Sequence, residues 1–385
     1  GGANVDQLNV SGVSTFLHDV GVSGTVTAPR FDGDCKRNFI AGSCAGLGVT
    51  LSNNVFYNVL IGCNAGRSID TQCHVIAIGA CTASCVADGA GQAVFIGKNA
   101  GQYLGRTGCG NYGNVYLGAG TGKCLVGGCS NVAIGYYAGR GIDGCVGGNL
   151  NINIGWQAGK EMKGSSNNIN MGRNAGFSLS TGQGNNIFMG NSTGRYMISG
   201  AKNVALGFVA YHKDCTGSSN IIMGNYAAAC ATAISDSVFI GRSAGRCGTG
   251  SYHNIGIGLC ALRNLSTGMR NVAIGRCAGM YNNTGRDNVF LAASAGKLNT
   301  CGKFNVFIGQ SSGSANTTGG YNVFLGLAAG LANTTTSHSI IIGSYAGRCN
   351  KNSQGIVIGC RAGERICTNT STDNIAIGRI ALRGI

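Results

Sequence analysis

The chain has 385 residues, with 69 glycines, a single proline, 44% apolar and 11% charged residues, and a net charge of +15. This excludes a collagen, whose glycine recurs at every third position, and a disordered chain, which lacks the apolar content to build a core. No apolar run approaches the ~18 residues of a membrane-spanning helix, and no charged-then-apolar leader opens at Gly1, so any export is expected to rest on a removed segment or on lysis.

Residues 1–34 carry a short echo, LNVSGVSTF at 8–16 and VGVSGTVTA at 20–28, before Pro29 and the polar run FDGD at 31–34. The alternation predicts short strands with glycine turns, a neck or attachment segment. From residue 35 a single frame takes over, written NVAIGRCAG at 271–279 and repeated about twenty times. Rungs at 35–190 are irregular, and insertions at 105–114 and 141–150 are expected to leave one corner as loops. Across 191–385 the frame is more regular, and between Gly190 and Gly343 it steps by 17 residues nine times running. Self-similarity at a short fixed period marks a solenoid. The expected fold is all-β: a parallel β-solenoid or β-roll of about 20 rungs, rising roughly 90 Å at about 4.8 Å per rung.

The columns of the repeat say why it is β. Three positions before the key glycine (Gly275 in the repeat quoted), nineteen of twenty rungs have Val or Ile, and one position before it nineteen have Ile, Leu or Met. Two apolar columns one residue apart are the period of a strand. The column between them is also apolar, departing only at Asn153, Asn170 and Gly256. A strand apolar on both faces is packed on both, and a coil of 17 residues is too thin for two cores. One face is therefore expected to fill the coil and the other to meet sister chains. That reading assigns Phe95, Phe188, Phe239, Phe290, Phe307 and Phe324 to the core of a homotrimer. Four positions before the glycine, fifteen rungs have Asn, which fits an amide ladder between rungs or a plain turn preference.

Five positions after the glycine lie Arg67, Lys123, Arg140, Lys160, Arg195, Arg246, Arg263, Lys297, Arg348 and Arg383. Stacking makes them an intermittent basic stripe, either a track for a polyanion such as an acidic glycan or, the weightier reading, a solvated corner that keeps the rod soluble. With no aromatics expected between these residues, nucleic acid is not an expected partner. Among 19 cysteines, Cys230 with Cys247 and Cys260 with Cys277 fall in phase on adjacent rungs. Stacked Cα atoms about 5 Å apart suit a disulfide; small buried thiols filling small slots explain the same pattern.

Catalytic chemistry is not evident. Carboxylates and histidines recur in no constellation, and GAGTGKC at 118–124 fails as a phosphate loop because Leu117 and Cys124 stand where glycine and Ser/Thr are needed. Neither a metal nor a cofactor is expected.

Repeats of the form N-[VI]-x-[IL]-G-x-x-A-G resemble the head repeats of trimeric autotransporter adhesins. They more closely resemble arrays in tail-fibre and virion structural proteins of phages, cyanophages in particular, where segments similar to VSGVSTF at 10–16 and VSGTVTA at 22–28 precede the array. The resemblance covers nearly the whole chain. It implies a homotrimeric rod on the virion surface or tail, a structural fibre or spike attaching to a host-surface glycan, with an axial partner at one or both rod ends and no membrane insertion. An extracellular cellular adhesin or self-assembling filament subunit, and a polysaccharide depolymerase on the same solenoid, are the alternatives.

Overall fold

The computed structural model describes residues 38–49, 55–69, 72–86, 91–104, 112–125, 127–142, 147–179, 184–197, 199–213, 216–349, 354–364 and 373–382. The neck expected at 1–34, most of the two corner insertions and Arg383 lie outside them. Among the described residues there is no helix, and one parallel sheet of twenty three-residue strands runs from Phe39–Ala41 to Ile375–Ile377. Each strand pairs in register with its counterparts one coil before and one coil after, so Val289, Val306 and Val323 stack, as do Phe290, Phe307 and Phe324. This is the expected parallel β-solenoid. A minor ladder joins Cys85–Val86 to Tyr103–Leu104 on the far side of the coil.

The strand is three residues long because glycine ends it. At Gly241 φ is +128°, and a Cβ there would lie 2.6 Å from the carbonyl oxygen of Gly258 on the next coil. Only a residue without a side chain lets the two backbones approach this closely. The turn then alternates in hand, with Ser243 at φ 58° and Gly245 at φ 56°, while its amides bond to neighbouring coils: Ser243 donates to the Asn225 carbonyl and Gly245 to that of Ala261. Three residues past the key glycine, the small side chain is buried in every regular coil, as at Ala244, Ala261 and Ala278. Where Thr or Ser stands instead, the hydroxyl finds a backbone acceptor, Thr82 on Gly97 at 2.7 Å and Ser312 on Phe324 at 3.0 Å.

The two faces of the strand are the reverse of what the composition of the columns suggests. Phe95, Phe188, Phe239, Phe290, Phe307 and Phe324 are fully buried within a single chain. Their rings fill the hollow of their own coil, and Phe290, Phe307 and Phe324 meet from rung to rung, Phe307 on Phe324 at 4.7 Å between centroids. None of the six lies on a surface between chains. They are the solenoid core, and the flanking aliphatic columns face outward. The inference that a coil encloses only one core stands; the column assigned to it changes. A further interior column lies on the opposite wall, seven residues past the glycine: Ile69, Leu104, Leu125, Met162, Leu179, Met197 and Leu265.

The asparagines four before the glycine form a ladder. Asn288 donates its Nδ2 to Asn271 Oδ1 at 3.0 Å and to the Gly302 carbonyl at 2.9 Å, while its own Oδ1 accepts from the backbone and side chain of Asn305 at 3.0 and 3.1 Å. The amide ladder, rather than a plain turn preference, is what the column builds. From Asn282 onward the opposite interior column also switches to asparagine, and Asn299 and Asn316 each donate to the rung before at 2.7 Å. Buried amides are stabilised by pairing, and the repeating coil supplies it along most of both columns, Asn316 Oδ1 and Asn333 Nδ2 being left without a partner among the described residues.

Candidate interaction surfaces

Reversing the faces leaves the rod with an apolar outer surface. In each of the twenty strands both flanking residues are half-exposed or exposed, and all but Phe39 and Ala41 among those forty positions are Val, Ile, Leu or Met. Ile274 is 41% exposed, Ile308 37% and Ile340 39%. In-register pairing lines these side chains into two continuous aliphatic columns along the sheet. A continuous apolar strip of this length on one face marks a contact surface.

The second surface is the basic column on another side of the coil. Arg67 and Arg348 are exposed, and Lys123, Arg140, Lys160, Arg195, Arg246, Arg263 and Lys297 are half-buried. Contrary to the expectation from sequence, aromatic rings do interleave with it. Phe177 occupies the same column between Lys160 and Arg195, whose charges sit 5.2 and 5.5 Å from its ring centroid. Arg140 lies over Tyr137 at 5.1 Å, Arg246 over Tyr226 at 5.8 Å and Arg348 over Tyr345 at 5.9 Å. His212 continues the column past Arg195; burial, then Arg195 and Lys213, hold its imidazole below the usual range. Six successive coils therefore present Lys123, Arg140, Lys160, Phe177, Arg195 and His212 in file. Phe177 and His212 were overlooked because they break the charge pattern; their place in the frame, five past Gly172 and Gly207, is the signal that finds them. The Nε atoms of Arg140, Arg195, Arg246 and Arg263 are buried without acceptors; rings lie beside the first three cations, and Glu364, five past Gly359, brings a carboxylate into the column after Arg348.

The four in-phase cysteines are free thiols here. Cys230 and Cys247 are nonetheless side by side, and burial followed by the adjacent Cys230 raises the Cys247 thiol above its usual range. Cys129 is the one described cysteine in a disulfide. Among the described residues no three His, Cys, Asp or Glu side chains gather as a metal site, and no helix is long and apolar enough to cross a membrane. No protein-family model matches the chain, and no curated protein is similar to it.

Proposed function

We propose that this chain is a structural fibre or spike subunit, three copies of which associate along the outer sheet face into a rigid rod that carries attachment to a host surface. The single observation behind this reading is the pair of aliphatic columns that runs the length of the sheet and has no cover among the described residues. Copies of the same rod match that strip in length and repeat, and three flat apolar faces close around one axis with each face covered by two neighbours. Resemblance of the N-[VI]-x-[IL]-G-x-x-A-G frame to phage fibre arrays supports a virion setting. The basic column then lies outward on each of three chains, where weak contacts with an acidic glycan multiply through effective concentration.

Replacing Ile257 and Ile274, neighbours in one outward column, by lysine tests the assembly. Both side chains leave the coil interior untouched, so Ile257→Lys/Ile274→Lys should keep its strand-rich circular dichroism while sedimenting as a smaller species than the parent rod. Unchanged sedimentation would show that this face is not the contact.

A further inference from the structure

A groove of about 650 Å³ runs along the corner ahead of the strands in the most regular part of the rod, from Thr267 to His338. One wall carries Thr267, Thr284 and Thr318, whose hydroxyls are exposed and make no hydrogen bond among the described residues. The other carries Arg286 and Lys303 on successive coils, with Tyr321 and His338 beyond them. No carboxylate lines it. The nearest acid, Asp287, is held by Arg270 at 2.6 and 3.0 Å, which draws its carboxyl below the usual range and leaves Arg286 only a 4.0 Å approach. Two cations on adjacent rungs thus face the groove, Arg286 with only that long ion pair and Lys303 with no carboxylate against it among the described residues.

We propose that this groove binds an anionic polysaccharide lying parallel to the rod axis. Its carboxylate or sulfate oxygens would meet Arg286 and Lys303, the first able to bind two oxygens at once. Sugar hydroxyls would meet the threonine column, which offers a donor and acceptors at each coil it occupies. An extended pyranose chain advances by about one rung spacing per sugar, so the groove repeats with its ligand. The aromatic file decides against single-stranded nucleic acid. Phe304, Tyr321 and His338 stack on one another with centroids 4.9 Å apart and planes within 22°. Their faces are therefore turned to each other and their edges outward, leaving no platform between them for a base. The edges carry the positive part of the ring quadrupole and favour an anion.

This site deepens the attachment reading and rests on it. The test compares the unmodified protein with Arg286→Ser/Lys303→Ser in the groove and Lys163→Ser/Lys202→Ser, two exposed lysines outside both the groove and the basic column, variants with equal loss of charge. The probes are a heparin fragment, a polygalacturonate fragment and a poly(dT) oligonucleotide. The unmodified protein should bind at least one acidic glycan, and the groove variant should bind it at least about tenfold more weakly while the charge-matched control variant changes less. Equal loss in both variants would reduce the effect to overall charge and overturn the site; so would unchanged binding by the groove variant, or poly(dT) binding lost on the groove substitutions. Native mass, measured on the same samples, separates the outcomes: an assembled rod that binds neither glycan removes the groove and leaves the assembly standing, whereas a monomer removes the assembly itself.

Discussion

A methyl group added at Gly241 has nowhere to go but into the peptide of Gly258 on the next coil, because the backbone is already turned to positive φ and the neighbouring chain path is fixed by the ladder on either side. Gly241→Ala should therefore lower the stability of the rod by about 1–3 kcal/mol, the usual cost of holding an L residue in a sparsely populated backbone region, read as a lower midpoint in urea. The one natural departure sets the scale. Ala292 occupies this column with φ pulled back to 102°, so the strain is tolerated once in twenty coils. Side-chain amides are bound by the same logic of contact with the coil above and below. Asn288 uses both its donor and its acceptor inside the core, and without it the buried backbone N–H of Asn305 would lose the acceptor it meets at 3.0 Å.

Within a coil the interior is filled by trade between two positions, the middle of the strand and the residue four past the glycine. Where Phe307 or Phe324 fills the strand position, the partner is Gly313 or Gly330, and a Cβ on either glycine would come within 2.7 Å of the ring. In two coils where the strand position is small the partner grows, Ala205 with Tyr211 and Gly256 with Leu262, all buried or enclosed; where Ala133 and Ala273 keep Gly139 and Gly279, side chains of adjacent coils, Asn153 and Phe290, take the space. Phe307→Ala should cost about 3–5 kcal/mol for the cavity it leaves. Adding Gly313→Leu, after the pattern of Gly256 and Leu262, should return part of that stability; a double variant weaker than Phe307→Ala would contradict the trade. The fold was legible in the strand columns, because two apolar positions flanking a third allow little but a short strand. The orientation of that strand was not. Val, Ile, Leu and Phe suit either face, and only the companion at Gly313 or Leu262, on the far side of the turn, shows that the central side chain points inward. The basic column was legible as charge, but its rings were not, since Phe177 stands in it in place of a cation and Tyr137 reaches it from the position two past the glycine.

At the scale of the whole molecule, nineteen like pairings of twenty strands make a rod of roughly 90 Å at about 4.8 Å per rung, with one apolar side and one basic side. A monomer would leave the aliphatic columns in water along its entire length, an exposure soluble chains seldom carry. The charge of +15 opposes close approach of copies, and the outward placing of the basic column, away from the sheet face, keeps that opposition weak in physiological salt. Native mass in solution, by sedimentation or mass photometry of the unmodified protein, tests this most directly. Three times the 39.0 kDa of one chain is the result expected if sister rods cover the outer face of the sheet. A stable species with the mass of one chain would contradict it.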